Sequence, residues 1–122
     1  MKITDIRTVM VAVPFARFGE FRPIRMWYMT RYADLHCVTF IDTDEGITGV
    51  GTQGDQYIIM NQIKPGLIGK DPFNIEVIES ELGIYPACLR MVRKGIDDDT
   101  IAAIDNALWD IIGKACNQPL YK

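Results

Sequence analysis

The 122-residue chain is expected to be α+β: a three-stranded antiparallel meander sheet followed by a helical layer. Two observations carry this. Strand-like, β-branched segments fill roughly the first half and helix-like periodicity fills the second, and elements segregated in that way give an α+β domain rather than alternating βαβ units. The strands also lie close together, with a tight acidic turn ending in glycine between the second and the third.

The first strand is read in "KITDIRTVMVAV", rich in β-branched residues. The following stretch, from Pro14 to Asp34, mixes Pro, Gly, Arg and aromatics without either period, so it reads as a loop of about twenty residues, a length usually reserved for functional segments. "LHCVTFIDT" forms the second strand, with Leu35, Cys37 and Ile41 alternating against Val38 and Phe40. "DEG" turns the chain, and "ITGVGTQG" returns as the third strand. Gly49 and Gly51 weaken a strand unless another backbone or a ligand must come close there.

Helices follow. "DQYIIMNQI" is a short helix stopped by Pro65, and "DPFNIEVIESEL" has Asp71 as N-cap, Pro72 at the first position and an inner face of Ile75, Ile78 and Leu82, ending at Gly83. "ACLRMVRK" is compatible with a further short helix. The strongest pattern is "DDDTIAAIDNALWDIIGKAC": Ile101, Ile104, Leu108, Ile111 and Ala115 form one stripe that Ile112 widens. Asp97, Asp98 and Asp99 suit the positive end of that helix, and Lys114 suits its last turn.

Composition excludes several functions. A net charge of −3 leaves no basic footprint for nucleic acid, and no apolar run reaches the roughly 18 residues of a membrane helix. Asp5 and Arg7 interrupt the apolar N-terminal stretch, so it is not a secretory signal, and a cytoplasmic location is the default expectation. The cysteines Cys37, Cys88 and Cys116 have no metal-ligand spacing and read as buried free thiols.

Local motifs do not build a catalytic centre. "DTDEG" opens like a calcium loop, but its fifth position is Gly46 and its twelfth is Gln53, so it reads as a solvated turn. Gly49, Gly51 and Gly54 are one residue short of a dinucleotide fingerprint and no βαβ unit follows. Asp105 and Asp110 are five apart, point to different sides of their helix and read as surface or packing groups. His36, the single histidine, reads as a structural side chain on a strand. What remains is the first loop, where Arg17, Arg22, Arg25 and Arg31 interleave with Phe18, Phe21, Trp27 and Tyr28. Guanidinium groups beside aromatic walls suit a carboxylate or a polyol.

Four stretches, "MKITDIRTVMVAVPF", "VTFIDTDEGITGVGT", "IKPGLIGKDPFNIEVI" and "TIAAIDNALWDIIGKACNQPLYK", together resemble the N-terminal domain of the enolase superfamily, in its mandelate racemase/muconate lactonizing branch. The resemblance covers essentially all of residues 1–122. It implies a capping domain over the C-terminal mouth of a TIM barrel, where active sites on that fold lie. The implied parent reaction is Mg²⁺-assisted proton abstraction α to a carboxylate, as in acid-sugar dehydratases and racemases. The metal ligands and catalytic bases would come from the barrel, so none is carried onto this chain, which is expected to be inert alone.

The cap's own share is two substrate-facing loops, here within Pro14 to Tyr32 and about Thr52 to Tyr57. The candidate substrate-binding residues are Arg17, Phe18, Arg22, Arg25, Trp27, Tyr28, Gln53 and Asp55. Without a barrel, the cap is expected to form a homo-oligomer through Trp109, Ile112, Leu120 and Tyr121. The alternatives are a stand-alone binding or self-association module and one half of a split enzyme.

Overall fold

The computed structural model describes residues 1–15, 24, 25, 27–82 and 96–121. Strand β1 (Ile3–Pro14) pairs antiparallel with β4 (Ala33–Thr43), which pairs antiparallel with β5 (Thr48–Thr52), giving the sheet order β1-β4-β5. This is the expected meander. Gly46 turns β4 into β5 with φ +77°, and Asp44 Oδ1 accepts the Lys2 N–H at 2.7 Å, so the acidic turn ties down the start of β1. The loop expected after β1 contains a small ribbon of its own, β2 (Ile24–Arg25) with β3 (Thr30–Arg31). Two-residue strands are too short to leave a periodic signal.

Side-chain alternation puts Cys37, Thr39, Ile41 and Thr43 of β4 on the buried face, and a register shift between Ile3 and Asp5 in β1 lets Ile3 and Ile6, three residues apart, both be buried. Beyond Thr8, β1 and β4 run past the helices, and Val9, Met10, Val11, Val13 and Leu35 are exposed. Phe15 N–H donates to Tyr32 O at 3.0 Å. Successive residues of a strand turn their N–H groups to opposite edges, so the missing N–H of Pro14 falls on the free edge of β1, where proline is tolerated.

Pro65 does not stop its helix. The chain runs from α1 (Gln56–Ile58) through a π-helical segment (Ile59–Ile63) into α2 (Lys64–Leu67). Lys64 N–H donates to Ile59 O, five residues back. This widened turn precedes the proline and gives room where an ideal α-turn would press its ring on a carbonyl.

The Asp71 cap is also displaced. Asp71 Oδ1 accepts Phe73 N–H at 3.0 Å and Asp71 O accepts Asn74 N–H at 3.1 Å, a self-contained turn. Helix α3 (Ile75–Leu82) starts after it, with Asn74 O accepting Ile78 N–H. Its inner face is the expected one: Ile75, Ile78 and Leu82 are buried. Gly83 and the segment "ACLRMVRK", with Cys88, lie outside the described residues.

Helix α4 (Asp98–Ala115) lies across β5 and closes the core. Ile104, Leu108 and Ile111 are fully buried, and Ile101 and Ile112 are partly buried beside them. The stripe also includes small residues: Thr100, Ala103 and Ala107 are fully buried. They meet the strand glycines, because a Cβ at Gly51 would overlap Ala103 O and one at Gly49 would overlap Ala107 O. The close approach that those glycines permit is therefore to the backbone of α4.

The acids of α4 are put to use. Asp110 Oδ2 accepts the N–H of Val50 at 2.9 Å, and Lys114 Nζ donates to Thr48 O at 2.7 Å and to Asp110 Oδ2 at 2.6 Å. An i,i+4 ion pair thus covers the open edge of β5. Asp105 stands beside Glu79 of α3, whose carboxyl is pushed up by burial and by the Asp105 charge. Cys37 is buried and free, but Cys116 is free and exposed, because it follows the last turn of α4 as the C-cap residue.

Candidate functional site

Strands β1 and β5 end toward the same end of the sheet, since Pro14 pairs with Ala33 and Thr52 pairs with Val38. An open cavity of about 520 Å³ occupies that end. Met10 and residues Asp34 to Cys37 line one side, Gln53 to Asp55 another, and Asp97 and Asp99 at the start of α4 a third. His36 Nε2 lies 3.6 Å from Asp34 Oδ2, and both side chains are about one-third exposed. Burial pushes the Cys37 thiol up, which keeps it protonated and unreactive.

Of the residues expected to bind substrate, Gln53 and Asp55 line this cavity. Gln53 has φ +75° and Gly54 has φ +90°, so the chain leaves β5 through a left-handed turn. Asp55 is the N-cap of α1: its Oδ1 accepts the N–H of Tyr57 at 2.7 Å and of Ile58 at 3.1 Å. Arg25 is exposed on β2, and Trp27 and Tyr28 follow it, edge to face with ring centroids 5.1 Å apart. Trp27 is 96% exposed, an unusual position for so large an apolar ring. Arg17, Phe18 and Arg22 lie outside the described residues.

Sequence reasoning missed Asp34, His36, Asp97 and Asp99 as neighbours of Gln53. Their nearness depends on how far β4 outruns β5 and on where α4 starts, and neither is a local signal. It also missed Thr100, which is fully buried in the first turn of α4 with Oγ1 accepting the Asp55 N–H at 2.7 Å. Among the described residues no group of three or more His, Cys, Asp or Glu is placed to hold a metal ion. No helix among them is long and apolar enough to cross a membrane.

A three-stranded meander sheet backed by helices, with β1 and β5 ending toward the same end, defines an α+β domain of the capping type. The chain belongs to the family described as "Mandelate racemase / muconate lactonizing enzyme, N-terminal domain", which it matches over residues 6–122. It is similar to the arabinonate dehydratase of Saccharolobus solfataricus, with 36% identity over 69% of this chain and 24% of that protein. The cis-3-hydroxy-L-proline dehydratase of Roseibium aggregatum is 32% identical over 99% of this chain and 33% of its own length. The N-succinyl-L-Arg/Lys racemase of Bacillus cereus is 30% identical over the whole of this chain. Its crystal structure superimposes with a TM-score of 0.78, covering 99% of this chain and 32% of that one. The chain therefore spans about a quarter to a third of the length of the relatives it matches.

Proposed function

We propose that the chain is the cap of a mandelate racemase/muconate lactonizing-type enzyme, in which it selects substrate and does no chemistry by itself. The observation that supports this reading is that β1 and β5 end toward the same end of the sheet, where Gln53 and Asp55 line the cavity. Within the family match, relatives named as dehydratases and as a racemase support a parent reaction of proton abstraction α to a carboxylate. Mg²⁺, the metal of that chemistry, would polarise the carboxylate, and its ligands would belong to a barrel. The cap's residues have a different task. Arg25 and the undescribed Arg17 and Arg22 offer donors to a carboxylate or hydroxyl groups, while Trp27 and Tyr28 supply a wall that excludes water.

An acid sugar or a related hydroxy acid is the substrate class this composition suits. The compartment is the cytoplasm, and the chain by itself self-associates through its exposed apolar residues.

Titrating the ¹⁵N-labelled chain with arabinonate and with N-succinyl-lysine, in Mg²⁺ buffer, tests the assignment. The expected result is millimolar binding with amide shifts confined to the two segments Pro14 to Tyr32 and Thr52 to Tyr57, and no exchange of the substrate α-proton in D₂O. Turnover by the chain alone, or shifts confined to the opposite end of the sheet, would overturn it.

A further inference from the structure

The turn that leaves β5 is in a backbone conformation that Gln53 does not adopt freely. Gln53, at φ +75°, occupies the left-handed region, where a residue with a Cβ is disfavoured and persists only if its surroundings hold it. The hold comes from both sides. Downstream, the Asp55 carboxylate is fastened to the first N–H groups of α1. On the inner side, Thr100 Oγ1 accepts the Asp55 N–H at 2.7 Å, from a side chain with no exposed surface. Gly54 completes the fit: a Cβ there would stand 2.9 Å from Thr100 Cα and 3.3 Å from Thr100 Oγ1, closer than a side chain tolerates. The turn is thus seated on the first turn of α4, and Gln53 is presented to the cavity from that seat.

We propose that Thr100 is a positioning residue for substrate selection, acting through the Asp55 N–H to fix the left-handed Gln53–Gly54 turn and with it the Gln53 amide. The inference rests on the reading that this turn faces substrate. Thr100 touches no substrate. Its hydroxyl, rather than its bulk, is what matters, because the part-buried Asp55 N–H that loses this acceptor no longer has a partner fixed on α4 to hold the turn in place. Gln53 then has no reason to remain left-handed.

The test compares Thr100→Val, which keeps the shape and removes the acceptor, with Thr100→Ser, which keeps the acceptor. In Thr100→Val the Asp55 amide is expected to exchange with solvent at least tenfold faster. The apparent affinity for arabinonate or N-succinyl-lysine should weaken about tenfold at every reporting amide, and at saturation the Gln53 shift should shrink while those at Arg25 and Trp27 persist. Thr100→Ser should restore both. Gly54→Ala, which lifts the turn off Thr100 by another route, should reproduce the Thr100→Val pattern should that variant fail to fold. Unchanged Asp55 exchange, or an unchanged Gln53 response in a folded Thr100→Val or Gly54→Ala chain, would overturn the inference and leave the cap assignment intact. If the parent chain shows no ligand shift at Gln53 at all, the substrate-facing reading of the turn fails, and this inference with it.

Discussion

Asp42 joins all three strands of the sheet. Arg7 Nε of β1 donates to its Oδ2 at 2.7 Å and Arg7 Nη2 to its Oδ1 at 3.1 Å, while Thr48 Oγ1 of β5 donates to Oδ1 at 2.7 Å. The Arg7 guanidinium also lies over the Phe40 ring, 5.1 Å from its centroid. The Arg7 hydrogen bond holds the Asp42 carboxyl below the ordinary carboxylate range, against a smaller opposing effect of burial. A lowered native pKa means that the unfolded chain takes up the proton first. The contribution of Asp42 is therefore full above about pH 4 and is lost as pH falls through its depressed native value. Asp42→Asn should flatten the acid limb of a stability profile below about pH 4, as followed by urea unfolding at successive pH values. An acid limb as steep as that of the parent chain would show that Asp42 is not the group responsible. Single residues of this kind were only partly legible. Arg7 and Asp42 are 35 apart in sequence, and their meeting follows from the β1–β4 register. The Asp71 cap failed at the same scale, because an aspartate that can close its own turn competes with the helix start for one side chain.

At the scale of elements, the tightest packing is between β5 and α4. Glycines on the strand and alanines on the helix are two halves of one surface, Gly49 and Gly51 against Ala107 and Ala103. A methyl group added at Gly51 would meet backbone, which cannot turn aside as a flexible side chain can. Gly51→Ala should therefore cost about 3 kcal/mol, the upper end of the overpacking range, measured as a fall in the urea midpoint. A loss under about 1 kcal/mol would mean that α4 slides on the sheet at no great penalty. The glycines were visible as an anomaly in a strand; what approached them was not, since the answer is about fifty residues further on. Asp110 and Lys114 are similar. Their spacing reads as an ordinary helix-surface pair, and only the seating of α4 on the edge of β5 turns them into partners for Val50 N–H and Thr48 O.

For the whole molecule, the balance between core and exposed apolar surface carries the consequence. The sheet buries its proximal half under α4 and the π-containing helix, while Val9, Met10, Val11, Val13 and Leu35 project beyond them. Trp109, Leu120 and Tyr121 add exposed apolar area on the helical side. On the proposed reading, a barrel packed on the cap would cover these residues, and without one they are the surface through which copies of the chain are expected to associate. The chain by itself should accordingly run larger than 13.8 kDa in light scattering and bind dyes that report apolar surface; a monodisperse monomer without dye binding would contradict the self-association. Sequence alone determined the α+β class, the meander, the stripe of α4 and the family, because alternation, helical period and turn glycines are local signals that survive without a third dimension. Tertiary structure decided which residues meet: Thr100 with the turn at Gln53, the alanines of α4 with the glycines of β5, and His36 with the acids at the end of the sheet. Those pairings depend on the lengths of strands and the seating of a helix, which are fixed by packing the whole core and by no single segment of it.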